Sequence, residues 1–262
     1  MSQHQQLAYK RSGTGPALVL VHGYFGGSDQ WLNEIDYFQS RFDVIAVDLP
    51  GFGGSAHIQA KQSIQGFAEA VIDLLDDLNV EYFALLGHSM GGMIAQEITF
   101  LAQERVAKLI LYGTGPIGAM PNRFETHETS RQRLKQDGLQ ATVERISAQW
   151  FLQGSRSQRY RDCIEIGFLA SDEAGQAGLK AMETWDGRGH ISLLKTPVQI
   201  IWGEYDRSYG FSEQEQLWQG LPHCSIAIVP RASHLVHFEQ PEIFLAVLND
   251  FLICPDEKSG MT

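Results

Sequence analysis

Glu81–Gly92 constrains the fold of this chain more than any other stretch. Tyr82–Leu86 is a short apolar run of the kind that makes a buried strand. It passes without a break into Gly87-His88-Ser89-Met90-Gly91, a G-x-S-x-G pattern. Ile94, Ala95, Ile98 and Leu101 then recur at three- and four-residue steps, the spacing of one helix face. Strand, G-x-S-x-G and helix in immediate succession is the context in which the pattern reads as a nucleophile elbow. Such a turn strains the serine backbone and excludes bulk on either side of it. Gly87 and Gly91 let strand and helix approach, and Gly92 relieves the first helical turn. The Ser89 hydroxyl is then expected to project from the edge of a sheet, with a helix N-terminus beneath it.

The rest of the chain supplies the sheet. Ala17–Val21, Val44–Val47, Val106–Tyr112, Val198–Trp202 and Ser225–Val229 are further short apolar runs, with Leu7–Arg11 as an edge strand. Trp31, Ile35 and Phe38 mark a short helix. Ser63 is placed to cap a helix whose apolar face is Ile64, Phe67, Val71, Leu74, Leu75 and Leu78. Phe211–Leu221 reads as another helix, and Phe244, Leu245, Leu248 and Leu252 mark a C-terminal one before a loose tail, Pro255–Thr262. Alternating strands and helices predict an α/β fold with a doubly wound, mostly parallel sheet. Between Ile117 and Lys195 the strand-like runs vanish. Leu134, Leu139, Val143, Ile146 and Trp150 fall at helical spacings, so this region reads as a helical cap inserted into a core made of residues 1–116 and 196–262.

With 44% apolar and 19% charged residues over 262 positions, the chain can bury a large core. Its net charge of −11, with no basic run, argues against nucleic acid or an anionic membrane as partner. No apolar stretch is long enough to span a bilayer, and Met1–Gln6 has neither a basic nor an apolar leader segment. Cys163, Cys224 and Cys254 are scattered without metal spacing, and are expected to be reduced, mostly buried thiols of a cytoplasmic protein.

In an open parallel sheet ligands bind outside the carboxyl ends of the strands. That edge gathers the loops after Val21, Leu86, Trp202 and Val229. A serine hydroxyl needs a base during attack, and the base needs a group to orient it. Asp206 follows one late strand and His234 the next, so the order along the chain is Ser89, Asp206, His234. Glu204 competes as the acid but lies closer to its strand end, and His237 competes as the base. The His234-x-x-His237 spacing, with His22 and His88 nearby, raises a metal site, but no third ligand or carboxylate pair accompanies it at metal spacing. His22 and His88 are expected to make structural hydrogen bonds. Donors for a developing oxyanion are the backbone N–H of Met90, after the serine, and that of Tyr24, in the loop His22-Gly23-Tyr24-Phe25-Gly26-Gly27.

With those pieces together the chain resembles the α/β-hydrolase superfamily over essentially its whole length. The matching segments are His22-Gly23-Tyr24, Asp48–Ser55, Gly87–Gly92, Gly203-Glu204-Tyr205-Asp206, and His234 with Glu239-Gln240-Pro241-Glu242. The resemblance implies the triad Ser89, Asp206, His234, an oxyanion hole from Tyr24 and Met90, a helical cap over 117–195 and no cofactor. Within the superfamily the chain is similar to small carboxylesterases and to 3-oxoadipate enol-lactonase-like hydrolases. Serine at 89 separates it from the dehalogenases and epoxide hydrolases that carry aspartate there. Ser233 stands where the family usually has glycine. The expected activity is hydrolysis of esters or lactones of small carboxylic acids, with Phe25, Trp150, Phe151 and Trp185 contacting a small-molecule substrate. Alternatives on the same fold are a carbon–carbon bond hydrolase of the β-diketone type, a lyase or cofactor-free oxygenase, and a receptor that binds without turnover.

Overall fold

Runs such as Leu18-Val19-Leu20-Val21 are apolar at every position, and a strand of that kind is stable only where both faces of the sheet are covered. A computed structural model, which describes residues 5–120 and 123–253, shows how the chain covers them. In chain order the elements are β1 (Tyr9–Ser12), β2 (Ala17–Val21), α1 (Leu32–Phe38), β3 (Asp43–Val47), α2 (Ile64–Asp77), β4 (Phe83–His88), α3 (Met90–Leu101) and β5 (Val106–Tyr112). Then come α4 (His127–Ser147), α5 (Tyr160–Gly167), α6 (Asp172–Thr184), α7 (Arg188–Ile191), β6 (Val198–Gly203), α8 (Phe211–Gly220), β7 (Cys224–Val229), α9 (Val236–Glu239) and α10 (Pro241–Ile253). The sheet order is β1-β3-β2-β4-β5-β6-β7. Every pairing is parallel except that of β1 with β3.

Alternate side chains of each strand feed opposite layers. Leu18, Leu20, Val44, Ala46, Leu86 and Ile110 pack with Trp31, Ile35 and Phe38 at α1 and Phe244, Leu248 and Leu252 of α10. Val19, Val21, Ile45, Leu85, Leu109 and Leu111 pack on the other face with Phe67, Val71 and Leu75 of α2 and Ile94 and Ile98 of α3. The doubly wound α/β architecture expected from the alternation is therefore what forms. Ser63 caps α2 as expected, its side chain accepting from the Gly66 N–H at 3.0 Å.

Boundaries moved where side-chain hydropathy carries no signal. The edge strand starts at Tyr9 rather than Leu7, although Leu7 is still buried. Strand β4 continues through Gly87 and His88, which pair with Leu111 and Tyr112. Residues 117–195 contain α4 to α7 and form a bridge, Ile117 with Asp186, that ties the two ends of this segment together. Helix α4 is kinked at Gly138, whose φ is 83°. Cys163 is buried and Cys224 half-buried, both free thiols, while Cys254 and the tail Pro255–Thr262 lie outside the described residues. Among the described residues no helix is long and apolar enough to cross a membrane.

Candidate active site

Ser89 stands between β4 and α3 with φ 54° and ψ −118°, a left-handed conformation that a non-glycine residue adopts only when its surroundings impose it. Three contacts do so. The Ser89 N–H donates to the Tyr112 carbonyl at 2.9 Å. The Ser89 carbonyl accepts the Gly92 N–H at 2.9 Å and the Thr114 hydroxyl at 2.8 Å. The flanking glycines are required by close approach: a β-carbon at Gly91 would collide with the carbonyls of Val21 and His22, and one at Gly87 with the carbonyl of Gly91.

The loop after β2 lies against the elbow, because Gly23 packs directly on the Ser89 β-carbon. His22 Nδ1–H donates to the Gly23 carbonyl at 2.7 Å and Nε2 accepts the Leu49 N–H at 3.0 Å. Burial holds its pKa below the ordinary histidine value, consistent with the neutral ring this pairing needs. Asp48 fastens the same loop from β3. Its carboxylate accepts the Ser28 N–H at 2.6 Å, the Ser28 hydroxyl at 3.1 Å and the Gly54 N–H at 3.1 Å. The N–H groups of Tyr24 and Met90 have no acceptor among the described residues.

On the other side of Ser89, Asp206 Oδ2 accepts His234 Nδ1–H at 2.8 Å, and both side chains are shut off from solvent. That pairing leaves Nε2 of a neutral imidazole with its lone pair free. Asp206 Oδ1 accepts the N–H groups of Ser208 at 2.7 Å and Tyr209 at 3.2 Å, so the carboxylate is held by its own turn. No hydrogen bond joins the Ser89 hydroxyl to the imidazole among the described residues; such contacts commonly tighten only when substrate is bound.

The competing residues are committed elsewhere. Glu204 is exposed and accepts the Arg231 N–H at 3.2 Å. His237 pairs through Nδ1 with the Tyr112 hydroxyl at 2.9 Å, and burial pushes its pKa down to about 3. His88 Nε2–H donates to the His234 carbonyl at 3.2 Å, with its ring 4.7 Å from that of His234. Burial and its histidine neighbours hold the His88 pKa well below the usual value. Among the described residues no group of three or more His, Cys, Asp or Glu side chains is arranged to hold a metal ion. Ser233 has no positive φ, which is why serine is accepted where glycine was expected; its hydroxyl donates to the Tyr205 carbonyl at 3.2 Å.

Of the residues expected around a substrate, Trp150 lies 5.9 Å from the His234 ring, centroid to centroid. Phe25 is buried, with its ring 3.9 Å from that of Tyr24, whose hydroxyl donates to the Gly175 carbonyl of α6 at 2.9 Å. Phe151 stacks on Phe238, and the Trp185 indole N–H is committed to Glu97 at 2.8 Å. These two join the 117–195 segment to the rest of the fold.

Three residues escaped the sequence reading. Glu239 receives the N–H groups of Ser233 at 2.7 Å and Leu152 at 2.8 Å, clamping the His234 loop to the helical segment. Thr114 buttresses the elbow. Tyr209 stacks nearly parallel on His234, 5.7 Å and 17° apart. Glu239 alone had a visible signal, since it belongs to one of the segments that carry the resemblance.

The sequence model of the alpha/beta hydrolase fold family matches residues 16–241, and the chain belongs to that family. A pimeloyl-[acyl-carrier protein] methyl ester esterase from Pseudoalteromonas atlantica is 32% identical, over 92% of this chain and 96% of its own length. A putative 2-succinyl-6-hydroxy-2,4-cyclohexadiene-1-carboxylate synthase from Bacillus subtilis is 31% identical, over 90% of each. Among solved structures, the enol-lactonase from Burkholderia xenovorans LB400 superposes with a TM-score of 0.83 at 21% identity, covering 94% of this chain and 96% of that one.

Proposed function

We propose that this chain is a serine hydrolase that cleaves carboxylic esters or lactones of small acids through an acyl-enzyme. The observation that carries the reading is the buried Asp206–His234 couple, 2.8 Å long, set beside a serine in a strained elbow. His234 takes the Ser89 proton as Oγ attacks the carbonyl, and Asp206 steadies the imidazolium that results. The unengaged N–H groups of Met90 and Tyr24 receive the oxyanion. His234 then returns its proton to the departing alcohol, and a water activated by the same base releases the acid. The helices between β5 and β6 form a cap whose Trp150, with Phe25 and Met90, borders the acyl group. The esterase among the relatives supports ester chemistry. The test is Ser89→Ala with p-nitrophenyl acetate and butyrate: turnover is expected to fall to background, and undiminished rates would refute the nucleophile.

A further inference from the structure

Polar atoms sealed inside a protein are almost always hydrogen-bonded, so a buried one left over calls for an explanation. Two such atoms belong to the walls of a single cavity beside the nucleophile. The cavity, about 270 Å³, is lined by Phe25 and Gln30 from the segment after β2, by His88 immediately before Ser89, by Trp150, and by Cys163 and Ile166 of α5. Gln30 is 6% exposed, and its Nε2 has no partner among the described residues. The oxygen end of the same amide packs on Gly26, where a β-carbon would collide with it. His88 is 3% exposed, and its Nε2–H is spent on the His234 carbonyl. Nδ1 of the neutral ring is therefore an acceptor, and it too has no partner among the described residues. Burial holds His88 uncharged, and no other lining residue is ionisable to a charged form at neutral pH.

We propose that this cavity is a subsite for the acyl chain and selects a chain bearing a hydroxyl group, which accepts from Gln30 Nε2 and donates to His88 Nδ1. The inference rests on the ester or lactone hydrolase reading above and names the acyl group that site prefers. A hydroxyl satisfies both atoms because it accepts and donates at once. A methyl group fills the space and leaves a donor and an acceptor unpaired. A ketone accepts from Gln30 but sets its oxygen against the His88 lone pair. A carboxylate does the same and brings a charge between walls that hold no cation. Phe25 and Trp150 supply the apolar sides, while Gln30 fixes the orientation, the division of labour usual in a small-molecule pocket. The chemistry at Ser89 is the same for every chain, so Gln30 is a specificity-determining residue and not a catalytic one.

The test is hydrolysis of methyl 3-hydroxybutyrate and methyl 6-hydroxyhexanoate, each against its unsubstituted parent, methyl butyrate or methyl hexanoate, followed in a pH-stat. At least one hydroxy ester is expected to exceed its parent in kcat/KM by about tenfold, because a site built to bond a hydroxyl rejects the analogue that lacks it. Monomethyl glutarate should be hydrolysed more slowly than methyl butyrate. Gln30→Met keeps the length of the side chain and removes the amide, and should lower the hydroxy-to-parent ratio about tenfold. Wild-type ratios near one for both pairs would overturn the proposal, water alone then satisfying the two atoms. A ratio that Gln30→Met leaves unchanged, or a preference for the carboxylate ester, would overturn it as well. If Gln30→Met does not fold, the wild-type ratios and the order of product inhibition by 3-hydroxybutyrate and butyrate decide, the hydroxy acid being expected to inhibit more strongly. Turnover of the parent esters without any preference removes this inference alone; no turnover of any ester removes the hydrolase reading beneath it.

Discussion

Replacing Asp206 by asparagine tests the charge arrangement with the least change of shape. The carboxylate makes three hydrogen bonds, one to His234 Nδ1 and two to the backbone N–H groups of Ser208 and Tyr209. An amide cannot serve all three. If its oxygen keeps the two backbone donors, its NH₂ faces Nδ1 and forces the ring proton onto Nε2, where it blocks the base. If its oxygen turns to Nδ1, the NH₂ meets two N–H groups head on. The stabilisation of the imidazolium is lost in both orientations. With charge centres roughly 4 Å apart and an effective dielectric near 20, that interaction is about 4 kcal/mol. At about 1.4 kcal/mol per decade, kcat/KM should fall about a thousandfold. The assay is p-nitrophenyl butyrate hydrolysis by wild type and Asp206→Asn, alongside Glu204→Gln, whose exposed side chain bonds only Arg231 among the described residues and should cost less than twofold. An Asp206→Asn enzyme within tenfold of wild type, or a larger loss in Glu204→Gln, would refute the assignment of the acid.

Three further outcomes follow from strain and burial. Ser89→Gly removes the side chain that makes φ 54° costly, so the inactive variant should be more stable by about 1 kcal/mol and melt higher; a lower Tm would contradict the strain. Gly91→Ala drives a β-carbon into the Val21 and His22 carbonyls and should lose on the order of 3 kcal/mol in urea unfolding, whereas Gly189→Ala meets open space and should change stability by under about 1 kcal/mol. Equal effects would show that the elbow is not tightly packed. Glu34 is fully buried with both carboxyl oxygens unpartnered among the described residues, and burial pushes its pKa from 4.5 up to about 8. The folded state therefore holds a proton that the unfolded state releases, and this contribution falls by roughly 1.4 kcal/mol per pH unit as pH rises from about 4.5 to about 8. Glu34→Gln should flatten that decline in melts between pH 5 and 8; parallel curves for the two proteins would show that Glu34 does not titrate in this range.

The fold was legible wherever burial on both faces forced a strand to be apolar throughout. Val106–Tyr112 matches β5 residue for residue, and Ala17–Val21 matches β2. It was illegible where a strand ends in residues chosen for the site. Gly87 and His88 complete β4 because the ladder with β5 continues to Tyr112, yet glycine and histidine carry no strand signature. The helical spacing from Leu134 to Trp150 hid a break at Gly138, since a single left-handed residue leaves the apolar rhythm nearly intact on either side.

The site divides in the same way. Ser89, Asp206 and His234 could be proposed from the sequence because each chemical role admits few residue types and the strand ends confine where they stand. Asp206-Arg207-Ser208-Tyr209 shows why the next layer could not. A carboxylate that accepts N–H groups two and three residues ahead is an ordinary loop device, and a tyrosine three positions on reads as a surface aromatic. What distinguishes Tyr209 is where its ring lies, nearly parallel to that of His234 and against Gly115, and this depends on a glycine far earlier in the chain leaving room for it. Such a residue is found by following each oxygen of Asp206 to the donors it accepts. In this fold Asp206 holds His234 through Oδ2 and the Tyr209 N–H through Oδ1, so altering its turn should disturb both the imidazole and the ring beside it, a coupling a double-mutant cycle of Asp206→Asn with Tyr209→Ala would read as non-additive losses.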